Sequence, residues 1–343
     1  MFGAETRFFF ELTPDRILRA VESLGVRCTG RTMQLNSMEN RVFELEIEVD
    51  EQTIKSPSDR FRVVKFYRPG RWSAEQILEE HKFLKALRDE EIPVIAPMLD
   101  RDGNTLHTCS ETGILFAVFP RQGGRAPDEV LPEHAQRIGR LLARVHTVGA
   151  RHSFRHRLTL STDTFGRDNL KELLERRSLP PEFQSRYADV VQAICASSDS
   201  RLVSVTKQPL HGDCHLGNVL WGSEGAFLVD FDDMVIGPCV QDLWLVVPGI
   251  DNEAMELRRV LVESYCEMRN FDRSELQLIE SLRALRYIHH SAWIAKRWED
   301  PAFPRAFPQF GTNSYWRDRL ADLEEQLIRI KAVLNSKIHN NID

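Results

Sequence analysis

The sequence predicts an α+β fold in two lobes, a β-rich N-lobe over residues 1–120 and a mainly helical C-lobe over residues 121–343. Three observations carry that expectation. The clearest strand-like periodicity lies before residue 120, and helical spacing dominates after a Gly123-Gly124 break. Strands first and helices afterwards is the order of segregated layers, not of alternating βαβ units. At 343 residues the chain also has material for a large core divided between two lobes.

The elements follow in order. Thr13 offers an N-cap with Pro14 at the first helical position, predicting a short helix to about Leu24 that Gly25 ends. Phe43, Leu45, Ile47 and Val49 interleave with Glu44, Glu46 and Glu48, the period of a half-buried strand. A polar stretch from Asp50 to Arg60 leads to a second β-rich run, Phe61 to Tyr67, and the two read as an antiparallel pair. Ser73-Ala74-Glu75-Gln76 is a capping box that opens a helix to about Arg88. Residues before Pro93 and Pro97 are pushed out of the helical region, so an extended exit follows. Ile114 to Phe119 reads as a buried strand, with the lobe boundary near 120–126. Beyond it Ile138, Leu141, Leu142 and Val145 carry helical spacing, with Gly149 as a stop. Further helices are expected around 256–268, 275–298 and 318–335, and the Pro301–Pro308 run reads as a rigid loop.

Composition narrows the function classes. Forty-five basic against 51 acidic side chains leave a net charge of −6, which argues against general nucleic-acid binding. The six cysteines are scattered without a CxxC pair and read as reduced thiols. The N-terminal MFGAETRFFFELTPD lacks a basic segment and a long apolar run, so it is not expected to be a secretory signal. The longest clean apolar run, Ile114–Phe119, is far short of the roughly 20 residues that span a bilayer. A cytoplasmic, monomeric protein without membrane or nucleic-acid partners is expected.

The strongest local signal is His211-Gly212-Asp213-Cys214-His215-Leu216-Gly217-Asn218, followed by Phe227-Leu228-Val229-Asp230-Phe231-Asp232. The Asp213-to-Asn218 interval equals that of the H-R-D-x-x-x-x-N loop used in phosphoryl transfer, and Asp230 ends an apolar strand-like run twelve residues further on. Phosphoryl transfer needs one carboxylate to orient a hydroxyl, and an amide oxygen with a second carboxylate to hold Mg²⁺ against the phosphates. A polar turn between two strands would account for any one of these residues, though less readily for the ordered set. His211, Asp213, Cys214 and His215 are also potential transition-metal ligands, which leaves metal-dependent hydrolysis as a minor alternative.

HGDCHLGN with VDFDD resembles the aminoglycoside phosphotransferase and choline kinase-like branch of the kinase superfamily, and Gly237-Pro238-Cys239-Val240-Gln241-Asp242-Leu243-Trp244 continues the likeness. Within the branch LNSMENRVFE, VVKFYRPGRW, QILEEHKF, VQDLW and KRWEDPAFPRAFP are similar to the bacterial stress-response serine/threonine kinases over nearly the whole length. The resemblance implies a bilobal protein-kinase-like fold, with ATP and Mg²⁺ as cofactors. It makes Asp213 the proton acceptor and Asn218 and Asp230 the magnesium ligands, with Asp230 also catalytic. Asp242 would brace the loop from behind, and His211 would support it through hydrogen bonds.

Lys65 lies inside an apolar β-run, an expensive place for an unpartnered ammonium. A kinase pairs such a lysine with a helix carboxylate and with the α/β-phosphates. Glu80 shares the stripe of Ile77, Leu84 and Leu87, whereas Glu79 falls beside Glu75, Gln76 and Lys82 on a solvated face, so Glu80 is the expected partner. The segment 35–41 should cover the phosphates yet has no glycine; by resemblance Ser37 contacts ATP there. Adenine is expected where the strand ends, with backbone groups near Phe119 and Arg121 reading its edge. Arg283, Arg286, Tyr287, His290, Trp293, Arg297 and Trp298 could line an acceptor site or form a mixed core and solvated face. The acceptor is a protein serine or threonine (the chain itself included), or alternatively a hydroxyl-bearing metabolite such as an amino alcohol, sugar or aminoglycoside. A catalytically silent nucleotide-binding module is a third reading. An acid-lined pocket beside Asp213 would mark a cationic metabolite and an open groove a polypeptide.

Overall fold

The computed structural model describes residues 9–222 and 225–340. Residues 1–8 of the N-terminal segment discussed above lie outside them. Helix α1 (Pro14–Glu22) starts where Thr13 Oγ1 accepts the Arg16 N–H at 3.4 Å, and it buries Ile17, Ala20 and Val21 at helical spacing. Strands β1 (Cys28–Leu35), β2 (Arg41–Ile47), β3 (Phe61–Phe66), β4 (His107–Thr108) and β5 (Leu115–Pro120) form one antiparallel sheet in the order β1-β2-β3-β5-β4. The expected pairing of the 43–49 and 61–67 runs is present, with Phe43 opposite Val64. Strand β1 was not expected. It is an edge strand with mostly exposed side chains, so no apolar alternation marks it.

Period two sorts the sheet's side chains between two helices. Leu45, Val64, Phe66, Phe116 and Val118 pack with Ile17 and Val21 of α1. On the opposite face Tyr67, Ala117 and Phe119 pack with Ile77 of α2 (Ala74–Asp89). Lys65, between Val64 and Phe66, therefore turns toward α2. The capping box of α2 forms in both directions, Gln76 N–H to Ser73 Oγ at 3.3 Å and Ser73 N–H to Gln76 Oε1 at 2.9 Å. Its far side, Phe83, Leu84 and Leu87, belongs to a second core with Ile138, Leu142, Leu228 and Phe231, so α2 is packed between the two halves of the molecule.

After Pro120 the chain is mainly helical. Helices α3 (Pro132–Gly149), α4 (Asp168–Glu175) and α5 (Pro181–Ser204) precede four short strands, β6 (Gln208–Leu210), β7 (Val219–Gly222), β8 (Gly225–Leu228) and β9 (Val235–Gly237). Helices α6 (Val240–Val246), α7 (Asn252–Cys266), α8 (Ile279–Lys296), α9 (Ala302–Ala306) and α10 (Asn313–Asn340) follow. β6 pairs with β9 and β7 with β8, both antiparallel. Those pairings set the 211–218 loop, between β6 and β7, beside the 229–234 segment between β8 and β9. Helix α5 was also not expected, although Tyr187, Val190, Val191, Ile194, Cys195, Ser198 and Leu202 form its buried side. The run Ser197-Ser198-Asp199-Ser200 blurs that periodicity. The Pro-rich run departs from the loop expected of it and forms α9. Pro304 fits there because the first-turn N–H groups of a helix have no intrahelical acceptor.

All six cysteines are unpaired, and no described helix is long and apolar enough to cross a membrane.

Candidate active site

The 211–218 loop is built around a residue that only glycine satisfies. Gly212 has φ +85°, and a Cβ there would lie 2.2 Å from the Asp233 carbonyl oxygen. Behind it Asp242, on the buried first turn of α6, accepts the His211 N–H at 3.0 Å and the Gly212 N–H at 2.8 Å. His146 Nε2 meets the same carboxylate at 3.0 Å, so Asp242 ties the loop to α3. His211 Nδ1 accepts the Asp213 N–H at 3.4 Å, which leaves the proton on Nε2 to be donated to Val229 O at 2.9 Å. The Asn218 side-chain amide donates to Asp213 O at 3.0 Å, and the Asn218 backbone carbonyl accepts the Val229 N–H at 3.0 Å. These bonds hold the loop and the 229–234 segment as one piece.

Asp230 follows β8 with φ 59° and ψ 66°, a left-handed conformation uncommon outside glycine. Its carboxylate is exposed to the cleft and lies 3.2 Å from Lys65 Nζ. Lys65 itself is buried and sits 2.9 Å from Asp232 Oδ1 and 3.9 Å from Glu80 Oε1. Burial opposes the ammonium, yet Asp232, Asp230 and Glu80 together hold its pKa well above the ordinary lysine value. Glu80 is shared. Its other oxygen takes Arg157 Nη2 at 2.7 Å, and Arg157 Nη1 donates to Asp232 O at 2.7 Å. Arg71 completes the cluster by binding Asp232 and, at 2.5 Å, Asp233. Glu79, assigned above to a solvated face, instead accepts the backbone N–H groups of Arg155, His156 and Arg157 at 2.7–3.0 Å and so positions that arginine.

The segment 35–41 over the cleft is anchored without glycine. Ser37 Oγ accepts the Asn40 N–H at 3.3 Å, and Asn40 Oδ1 accepts the Arg68 N–H at 3.0 Å. Buried Glu39 reaches across to the C-lobe, where Arg297 Nε and Trp293 Nε1 each lie 2.6 Å from its Oε2. Arg68 adds a 3.0 Å contact to Glu39 and a 2.9 Å contact to Asp300. Phe119, opposite Val63 in the sheet, forms part of the cleft wall. The cleft holds about 1150 Å³, and Ser37, Lys65, Glu80, Phe119, Asp213, Asn218 and Asp230 all line it.

Asp213 meets α8: Arg286 Nη1 lies 2.6 Å from its Oδ1, and His215 Nε2 lies 3.5 Å from its Oδ2. Burial alone would raise its pKa, but Arg286, His215 and His211 outweigh burial and hold it below the ordinary aspartate value. The other aromatic and basic residues of α8 do not share one face. Arg283 Nη1 turns away to Pro248 O at 2.6 Å, Tyr287 lies under Arg319, and Trp298 packs on Phe310. His290, Trp293 and Arg297 line the cleft with Arg286.

The four potential transition-metal ligands of the loop do not converge. His211 spends both ring nitrogens on the backbone, and Cys214 is fully buried in the apolar core, where burial pushes its thiol well above the ordinary range. Among the described residues no group of three or more His, Cys, Asp and Glu side chains is placed to hold a metal ion. For a hard cation the donors are oxygens. With the Asn218 amide nitrogen committed to Asp213 O, its amide oxygen is the atom left to the cleft beside the Asp230 carboxylate. Two protein oxygens completed by phosphates and waters suit Mg²⁺.

Several members of this site were not expected. Arg157 stands in RHRLTL, which carries no motif, and its role emerges only from folding. Asp232, Asp233 and Glu39 do lie inside segments already singled out, VDFDD and LNSMENRVFE, where two signals could have found them: a carboxylate among apolar residues, and a cluster of arginines to match it.

Comparison with known proteins gives the family and the fold. The family described as the phosphotransferase enzyme family matches residues 35–279. Stress response kinase A of Escherichia coli (strain K12) is 38% identical over 327 residues, covering 93% of either chain. A protein named serine/threonine protein kinase RdoA, from Salmonella typhimurium, is 36% identical over the same share of each. Among solved structures, amicoumacin kinase hAmiN in complex with AMP-PNP, Ca²⁺ and Ami superposes with a TM-score of 0.72 at 18% identity, covering 95% of this chain and 96% of that one. The fold is that of the aminoglycoside phosphotransferase and choline kinase branch, and the chain belongs to the phosphotransferase enzyme family.

Proposed function

We propose that this phosphotransferase is an ATP- and Mg²⁺-dependent kinase that phosphorylates a serine or threonine hydroxyl of a protein and acts in a stress response, in the cytoplasm. The observation that carries the reading is the meeting of Lys65, from the sheet, with Asp230 at 3.2 Å, beside the loop that presents Asp213 and Asn218. Lys65, steadied by Asp232 and Glu80, lies on the cleft floor where α/β-phosphates need a cation. Asn218 and Asp230 would hold Mg²⁺, which offsets negative charge on the phosphates when bound. Asp213 orients the acceptor hydroxyl and takes its proton as the bond from the γ-phosphorus to the β-bridging oxygen breaks and the bond to the acceptor oxygen forms. Ser37 and the backbone of 36–40 would cover the phosphates, and the strand end at Phe119 would receive the adenine. Catalysis of this kind is mostly positioning and electrostatics, so few reacting residues are needed.

The protein acceptor is supported by the names of the relatives that span nearly the whole chain. A small hydroxyl compound is a second reading, favoured by the fold neighbour whose complex holds an ATP analogue together with Ami. Incubation with γ-labelled ATP, with and without Mg²⁺, tests both. Label on the chain or on added protein, abolished by a chelator, is the expected result; label only in small-molecule pools would replace the protein acceptor with the second reading. No consumption of ATP with Mg²⁺ present would overturn the kinase reading.

A further inference from the structure

Beyond Asp213 the cleft continues into a compartment walled by α8 and α4, where basic side chains gather. Arg176, Arg286, Lys296 and Arg297 line it, in a molecule whose net charge is −6. Two of the nearby carboxylates are already engaged, while Asp168 acts on Lys296. Glu172 is bound by Arg176, and Glu39 by Arg68 and Arg297. Arg286 meets Asp213 through one terminal nitrogen, leaving the rest of a five-donor fork for other acceptors. Lys296 makes no hydrogen bond or ion pair with the described residues, and its end is exposed in the cleft wall.

Basic side chains outweigh the carboxylates at the two histidines of the compartment. Partial burial, then Arg297 and Arg176, lower the Lys296 pKa against Glu172 and Asp168. Burial and the surrounding Lys296, Arg297, Arg71 and Arg286 hold His289 near 3, and burial with Arg286 and Arg319 holds His290 at about 4. Phe165, stacked on His289 at 4.6 Å, supplies an apolar wall. The cleft beside Asp213 carries acidic side chains on its loop side and basic ones on the α8 side.

We propose that the acceptor hydroxyl belongs to an anionic molecule, whose carboxylate or phosphate is received by Lys296 and the free face of Arg286. The inference rests on the reading of Asp213 as the group that orients the acceptor. Two sources share this chemistry, an acidic or phosphorylated peptide segment and a small hydroxy acid, and the test separates them.

The full-length protein is given γ-labelled ATP, Mg²⁺ and two matched acceptor series. One consists of seryl peptides flanked by Asp/Glu, by Ala or by Lys/Arg; the other pairs glycerate and O-phosphoserine with ethanolamine and choline. ATP hydrolysis without acceptor is followed in parallel, as is amine-reactive labelling of Lys296 by mass spectrometry. The expected result is a kcat/KM at least about tenfold higher for the anionic members of one series, with Lys296→Glu erasing that preference. Anionic compounds, and not choline, should also protect Lys296 from labelling. Preference for the cationic members, or equal labelling with every compound, overturns this inference while ATP hydrolysis leaves the kinase reading standing. Absence of ATP turnover in every arm overturns both.

Discussion

At the scale of single residues, Asp213 and Arg286 make the sharpest claim. An aspartate this enclosed would have its pKa raised by burial, and Arg286 at 2.6 Å reverses that. A depressed pKa keeps the carboxylate ionised as pH falls, so activity should persist into acid until the folded-state value is reached. In Arg286→Gln burial is opposed only by His215 and His211, and the acid limb of the kcat/KM profile should move to higher pH. An unmoved limb would separate Arg286 from the base. Asp230 is a second case. Its left-handed backbone and exposed carboxylate make it a poor structural residue but a suitable cation ligand. Asp230→Ala should leave the fold intact and abolish Mg²⁺-dependent turnover, as tracked by circular dichroism beside a titration of activity with Mg²⁺.

At the scale of elements, α2 and the 229–234 segment are joined by a buried charge cluster in which every member has a partner. Lys65, Arg71 and Arg157 surround Asp232, and Glu80 spans Lys65 and Arg157. Removing one partner from such a cluster strands the others, which typically costs about 3–5 kcal/mol. Asp232→Ala should therefore lower the urea midpoint by an amount of that order. The sign with pH follows. Burial raises the Asp232 pKa but Arg71 and Lys65 lower it further, so its stabilisation is complete above the unfolded-state aspartate value and is lost as pH falls toward the folded one. Unchanged urea stability in Asp232→Ala would remove the cluster from the account. Much of this architecture was legible in advance, for identifiable reasons. The alternation of β2, the capping box of α2 and the HGDxxxxN spacing are local patterns written in consecutive residues. The lone Lys65 in a β-run and Glu80 on an apolar stripe announce a buried pair because each violates its surroundings. Arg157 could not be read, since it reaches Glu80 from 77 positions away and stands in a segment without periodicity. Edge strand β1 lacked a buried face to betray it.

At the scale of the whole molecule, the two halves are held by more than the chain crossing near 120. Phe83 of α2 packs edge-on to Phe231 at 6.0 Å, and Glu39 reaches from the glycine-free segment to Trp293 on α8 and Arg297 at its C-terminal end. A phosphate-covering turn without glycine cannot rely on a flexible backbone to follow the nucleotide; tethering by Glu39 supplies its position from the other lobe. Glu39→Gln should raise the KM for ATP by about ten- to hundredfold, as expected from the roughly 1.5–3 kcal/mol that a charged hydrogen bond contributes, with a smaller effect on kcat. Equal KM values would show that the segment holds its shape unaided. All of these expectations assume that sheet and loop converge on one nucleotide with Asp213 acting on the acceptor. The most direct measurement compares ATP affinity by calorimetry with single-turnover phosphotransfer in the native chain and in Asp213→Ala. The account predicts ATP binding within about threefold and a rate lowered by about 10²–10⁴, the range a positioned acid–base group contributes. Near-native transfer by Asp213→Ala, or loss of ATP binding along with the rate, would contradict it.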